Sequence, residues 1–101
     1  MYLWAELTRN PKHRIITVMD ELYDRIDRAI PQINALQNKV AKRDLIKMVR
    51  GVDAKMTELD QELVECRRMH RETPRYRELR EQASELIDNL EKYITFAALI
   101  G

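Results

Sequence analysis

Apolar residues recur at alternating intervals of four and three along most of the chain. The second half holds two such runs: Leu45, Val49, Val52, Met56, Leu59, Leu63, Cys66 and His70, then Tyr76, Leu79, Ala83, Leu86, Leu90, Tyr93 and Ala97. This spacing places the residues on one narrow stripe of a helix that packs along a partner helix. Between the runs, Thr73 can cap a helix start and Pro74 suits the first helical position. The pattern predicts an antiparallel hairpin of two helices, at about 45–71 and 74–98.

A third run with the same spacing occupies residues 11–40. Its members are Ile15, Met19, Leu22, Ile26, Ala29, Ile33, Leu36 and Val40. Pro31 interrupts the run, where it removes one backbone hydrogen bond and crowds the preceding turn. The apolar register is nevertheless the same on both sides of Pro31, which itself falls on the outer face. The run therefore predicts one kinked helix, with two consecutive short helices as the alternative.

The joint at residues 41–44 contains neither glycine nor proline, so a continuous helix from 11 to 71 is an open alternative. Leu45, however, lies two residues later than the next position of the preceding stripe. Two residues rotate a helix by about 200°, which would turn the stripe to the opposite face. A short turn with Asp44 as N-cap resolves this conflict. The chain is therefore predicted to be a single all-α domain, an up-down-up three-helix antiparallel bundle after a leader at 1–10. Dimerisation into a larger helical bundle is compatible with this prediction.

Composition supports a helical protein and narrows its surroundings. The 101 residues include two glycines and three prolines, and 35% of them are charged with a net charge of +1. This balance gives no global attraction to nucleic acid or to a membrane. The single cysteine fits a reducing compartment, and the start of the chain lacks the basic and apolar regions of a signal peptide. We expect a cytoplasmic protein without a membrane partner.

One end of the predicted bundle collects arginine. The candidate contacts for an anionic partner are Arg67, Arg68, Arg71, Arg75, Arg77 and Arg80, joined by Lys12 and Arg14 from the start of the first helix. Guanidinium groups suit bidentate contact with phosphate or carboxylate. The alternative, which we favour, is a solvated end whose arginines pair with Glu65, Glu72 and Glu78.

The opposite end is unusually apolar. The segment 93–100 holds more large side chains than one helix stripe can bury, and it would meet another crowded segment near residue 46. The candidate self-association or partner-helix residues are Ile46, Met48, Tyr93, Ile94, Phe96, Leu99 and Ile100. Such a surface favours self-association or a partner helix. The main competing interpretation is a tail that folds back and caps the core.

Reactive side chains give little indication of catalysis. Cys66 and His70 have the spacing of two metal ligands, but no second pair completes a site. No phosphate-binding loop or nucleophile–base spacing is present. We expect no catalytic residue, cofactor or metal. The sequence predicts a non-enzymatic protein–protein interaction module or assembly subunit, a homo-oligomer that self-associates through its C-terminal segment. The alternative is a nucleic-acid-binding accessory protein that uses the arginines.

Overall fold

A computed structural model describes the backbone of residues 11–100 and the side chains of residues 19–100. The chain forms three helices, α1 (Pro11–Asn34), α2 (Lys39–Met69) and α3 (Pro74–Ile100). Each helix packs against the other two, and no strand occurs among the described residues. The predicted three-helix bundle is confirmed. The leader at 1–10 lies outside the described residues.

The buried side chains form two clusters along the bundle. The cluster near the α2–α3 turn contains Met19, Leu22, Ile26, Val52, Met56, Leu59, Leu63, Cys66, Tyr76, Leu79, Ala83 and Ile87. The cluster near the α1–α2 loop contains Ala29, Ile33, Ala41, Leu45, Leu90, Ile94 and Ala97. In each cluster, residues from the end of one helix pack against residues from the beginning of the next, as expected for antiparallel neighbours.

The α2–α3 turn has the predicted helix start. The Thr73 hydroxyl accepts a hydrogen bond from the Tyr76 backbone N–H at 3.1 Å, and α3 begins at Pro74. The end of α2 differs from the prediction, because His70 leaves the stripe and adopts a left-handed conformation at φ 57°. The Arg71 N–H then bonds to the Cys66 carbonyl at 3.1 Å. This geometry ends a helix and leaves the His70 side chain exposed.

The predicted turn at 41–44 is wrong, because the chain reverses at residues 35–38 instead. Asn38 is the N-cap of α2, and its Oδ1 accepts from the N–H groups of Val40 (2.9 Å) and Ala41 (3.1 Å). Asp44, the expected cap, lies inside α2. Val40, assigned to the first stripe, is 62% exposed, whereas Ala41 is buried four residues before Leu45. The stripe of α2 thus begins one turn earlier than predicted, with a small residue that is easily missed.

Pro31 lies inside α1 and is exposed, as predicted, and the helix continues past it. It ends at Asn34, so the predicted helix at 11–40 is six residues too long. The last turn is closed by a 3.0 Å hydrogen bond from the Ala35 N–H to the Pro31 carbonyl. Pro31 therefore marks the last turn of α1, where the loss of one hydrogen bond disturbs little.

The buried face of α3 is wider than the predicted stripe. Ile87 and Ile94 are buried, at 0% and 4% exposure, whereas the predicted members Leu86 and Tyr93 pack partly buried beside them. Contact with two neighbouring helices accounts for this width, because each neighbour covers a different edge of α3. None of the described helices is long and apolar enough to cross a membrane.

Candidate functional site at the two ends of the bundle

The arginine-rich end, residues 67–80 around the α2–α3 turn, is partly neutralised by its own acids. Arg68 pairs with Glu65, Arg75 with Glu62 at 3.8 Å, and Arg80 with Glu72 at 3.4 Å. The hydrogen bond from Arg68 lowers the pKa of the Glu65 carboxyl. The expected pairing of Glu65 and Glu72 is confirmed, but Glu78 accepts instead from the Gln82 amide at 3.4 Å.

Three arginines of this end make no ion pair with a described side chain. They are Arg67, Arg71 and Arg77, and all three are exposed. Lys12 and Arg14 belong to α1, but their side chains lie outside the described part of the structure. The available cationic surface is therefore about half of what the sequence displays, spread over the last turn of α2, the reversal and the first turn of α3.

Below these arginines, the turn is closed by a buried polar network. The Thr73 hydroxyl donates to a carboxylate oxygen of Glu62 at 2.6 Å and lies 3.7 Å from the Cys66 sulfur. Tyr76, buried beside it, has its pKa raised by burial to about 12. The Arg80 guanidinium lies 5.8 Å from the centre of the Tyr76 ring, within cation–π distance. These contacts fasten α3 to α2 at the turn.

At the tail end, formed by the α1–α2 loop and the C-terminus of α3, three predicted interface residues are at least partly buried. Ile94 is only 4% exposed, and Met48 packs half-buried against the same cluster. The Tyr93 hydroxyl bonds to Asp44 at 3.3 Å, and burial together with the Asp44 charge raises the tyrosine pKa. These contacts place all three residues in the packing between the helices.

The remaining residues of the C-terminal segment are open to solvent. Phe96 is 58% exposed, Leu99 81% and Ile100 61%. We call these three residues the apolar tail. Val40, which sequence reasoning had placed in the core, adds a fourth exposed side chain at this end. The alternative in which the tail folds back over the core is wrong, because α3 continues as a helix to Ile100 and leaves these three side chains exposed.

Ile46 is exposed as well, but on a different flank of the bundle. Asp44, which bonds to Tyr93 of α3, lies two residues before Ile46, so the two point about 200° apart around α2. Ile46 instead lines a groove with a volume of about 200 Å³ between α1 and α2, together with Ile30, Val49 and Arg50. The expectation that Ile46 lies across from the C-terminal segment is therefore wrong within one chain, whereas Met48 packs against the cluster that contains Ile94 and Ala97. The sequence feature that could have indicated this groove is Ile30, an apolar residue that falls outside the heptad stripe of α1.

The outer face of α2 carries a second group of cations that the sequence analysis overlooked. Lys39, Arg43, Lys47 and Arg50, here called the basic stripe, are all exposed and share one face through spacings of four, four and three. None of them makes an ion pair within the described part of the chain. Counting charges over residues 39–50, where Asp44 is the single acid, would have found them.

The described side chains include no group of three or more histidine, cysteine, aspartate or glutamate residues that could hold a metal ion. Cys66 is a buried free thiol. Comparison of the chain with models of protein families, with curated proteins and with solved structures found no match. The features that the geometry offers for recognition are thus an apolar tail, a groove and two cationic surfaces.

Proposed function

We propose that this chain is a non-enzymatic helical interaction module that associates through the C-terminal end of α3, with a second copy or with a partner helix. One observation carries the proposal: Phe96, Leu99 and Ile100 remain exposed at the end of a helix whose other outward positions are mostly polar. Burial of a side chain of this size contributes roughly 1.5–3 kcal/mol. A surface that leaves three of them in water gains substantially when a partner covers it.

The spacing of the tail supports recognition by helix packing. Phe96, Leu99 and Ile100 follow one another at i, i+3 and i+4, which is how an amphipathic helix presents anchors to a groove or to another helix. Val40 enlarges the same apolar end. Exposed apolar patches of a few hundred Å² are typical of interaction sites on soluble proteins.

The test is a charge introduced into the tail. The double variant Phe96→Asp with Ile100→Asp should convert an oligomer into a folded monomer, measured by size-exclusion chromatography with light scattering and by circular dichroism. Val64→Asp is the matched control, because Val64 is 65% exposed on α2 and belongs to neither surface. The control should leave the mass unchanged. A native chain that is monomeric at about 100 μM, where even weak dimers form, would contradict self-association.

A second candidate function is the binding of nucleic acid at the arginine-rich end. Its support is the exposure of Arg67, Arg71 and Arg77 without a carboxylate partner among the described side chains. Replacing these three with alanine should weaken binding and reduce its salt dependence by roughly one unit per lost phosphate contact. Arg68→Ala is the control, because Arg68 already pairs with Glu65. Absence of binding to DNA and RNA at low salt would exclude this function.

A further inference from the structure

We infer that the partner of the apolar tail is a second copy of this chain, and that α3 of each copy lies along the basic stripe of a neighbouring copy. Each copy then inserts its tail into the groove between α1 and α2 of its neighbour. This inference rests on the proposed function. It adds which molecule covers the tail, which surface receives it and how the two helices align. It follows from charge complementarity and from the spacing of residues on two outward faces.

The basic stripe begins where a cation is unfavourable for the isolated helix. Lys39 is the first residue of α2, and the first turn contains no acidic residue. The first turn of a helix carries a partial positive charge, so the cation of Lys39 costs about 0.3–1 kcal/mol there. Positions that break a local rule in this way often belong to functional surfaces. An acidic partner would compensate the cost.

The outer face of α3 has the complementary character. Its exposed positions follow spacings of three, four and seven and are, in order, Glu78, Glu81, Glu85, Lys92, Phe96 and Leu99. Among them, Glu81 and Glu85 make no ion pair with a described side chain. Asp88 borders this face, bonds to Arg25 of α1 at 2.5 Å and keeps half of its side chain exposed. One face of α3 therefore presents carboxylates first and apolar anchors afterwards.

The two faces agree in register. When Phe96 of one copy lies beside Arg50 at the groove of the other, Glu85 is eleven residues before Phe96 and Lys39 is eleven before Arg50. Eleven residues advance both helices by about 16 Å, which brings this acid and this base together. Asp88 likewise lies eight residues before Phe96, and Arg43 seven before Arg50. The groove volume of about 200 Å³ exceeds the roughly 150 Å³ cavity that accepts a benzene ring.

This register also fixes the symmetry. The α3 helix of one copy runs parallel to α2 of the other, and α2 and α3 are antiparallel within a copy. The α3 helices of successive copies are then antiparallel. The groove lies on the flank of α2 turned about 200° from the side that contacts α3, so one neighbour cannot cover both the groove and the outer face of α3. The contact is therefore heterologous, and each copy gives its tail to one neighbour and its groove to another. The opposite direction would lay Glu85 beside Asp60 and Glu81 beside Glu65 of α2 and is disfavoured by like charge.

The experiment is a reciprocal charge exchange. Variant A carries Lys39→Glu and Arg43→Glu, and variant B carries Glu81→Lys and Glu85→Lys. Each variant alone faces like charges at the contact between neighbours, so it should self-associate about tenfold or more weakly than the native chain. An equimolar mixture of A and B restores opposite charges at every contact between unlike copies and should assemble with close to native affinity. Arg71→Glu with Arg77→Glu is the control at the other end and should change nothing.

The readouts are association constants from sedimentation equilibrium at low and high salt, with circular dichroism to confirm that each variant is folded. Added salt should weaken the native assembly. Self-association that is unchanged in both charge variants but is lost on changing Phe96 and Ile100 to aspartate would overturn this inference and leave the proposed function standing. A native monomer would overturn this inference and would leave a partner helix as the occupant under the proposed function. Cosedimentation of that monomer with mixed phosphatidylcholine–phosphatidylserine vesicles would then assign the tail and the basic stripe to an anionic membrane surface.

Discussion

The two ends of the bundle differ in how far their charged and apolar side chains find partners within the same chain. At the arginine-rich end, Arg68, Arg75 and Arg80 find carboxylates within the same end, and Thr73 closes a buried polar network. At the tail end, the basic stripe has no acidic partner within the described residues, and the apolar tail has no cover. The first end is largely complete in one chain, whereas the second gains when another molecule is added.

This difference shows that a conspicuous charge cluster is not by itself the better functional candidate. Arginines that alternate with glutamates along a helix and across a turn neutralise one another, because side chains three and four residues apart are neighbours. The basic stripe has four cations, and the whole segment 39–50 that carries it contains a single acid among five cations. The availability of a charge is therefore decided by its neighbours in the fold more than by its local count.

The largest contrast between the two ends is expected for a matched pair of leucines. Leu63→Ala, next to the arginine-rich end at 8% exposure, should lower the free energy of unfolding by about 2–5 kcal/mol through a cavity in the core. Leu99→Ala, at 81% exposure, should change it by less than about 0.5 kcal/mol when measured on the monomer. Urea denaturation followed by circular dichroism gives both values. Similar losses for the two variants would show that the tail is part of the core.

A second pair compares the helix caps at the two reversals. Thr73→Ala removes a buried cap that also bonds to Glu62 and should cost about 2 kcal/mol. Asn38→Ala removes an exposed cap and should cost about 1 kcal/mol. Thr73→Ser keeps the hydroxyl and serves as the control in the same denaturation experiment. A larger loss of unfolding free energy for Asn38→Ala than for Thr73→Ala would show that the Thr73 cap does not stabilise the chain more than the Asn38 cap.

Alkaline pH should destabilise the half of the bundle at the arginine-rich end, where Tyr76 is buried, before the other half. Burial raises the pKa of Tyr76 from 10.0 to about 12. Below pH 10 the folded and unfolded chains both keep this proton, so the contribution to stability is complete. Between pH 10 and 12 the unfolded chain loses the proton and the folded chain retains it, so stability falls as pH rises, on the order of 1 kcal/mol.

The measurement is unfolding by urea at several values of pH between 9 and 12, as set by the two pKa values. Tyr76→Phe should flatten the decline more than Tyr93→Phe, because Tyr76 is fully buried and Tyr93 only partly. An equal effect of the two substitutions would indicate that the halves open together.

The smallest expected effect concerns the residue that ends α2. His70 has φ 57° and ψ 33°, a left-handed conformation in which a side chain is strained and glycine is not. His70→Gly should therefore stabilise the chain by about 0.5–1 kcal/mol, seen as a higher midpoint of thermal unfolding. His70→Ala keeps the Cβ strain and should give no gain. A loss on replacement by glycine would mean that the imidazole contributes a contact of its own.

Much of the fold could be predicted because heptad spacing, a Thr-Pro helix start and scarce glycine all point to long helices. The errors arose at a helix cap, which depends on a local hydrogen bond, and at a small core residue. Asn38 was missed as a cap because Asp44 can also cap a helix and lies nearer to Leu45, where the apolar stripe shifts in register. Ala41 was missed as a core residue because a small side chain contributes little to an apolar pattern.

The candidate surfaces were less predictable than the core. The exposure of Phe96, Leu99 and Ile100 followed from counting large side chains against the capacity of one stripe. Burial of Ile94 and Met48 did not, because it depends on which edge of a helix a third helix covers. The groove at Ile30 and Ile46 joins two helices, so its residues are close only after folding.

The loop at residues 35–38 has a consequence for how the chain avoids exchanging segments with its neighbours. It contains neither glycine nor proline, and a short connection of this kind can straighten into one long helix that delivers α1 to another molecule. The stripes of α1 and α2 are out of phase by two residues, so a straightened rod would present its two halves to different directions. Deleting two loop residues would bring the stripes into line and remove this protection. The phase offset thus keeps each α1 with its own hairpin.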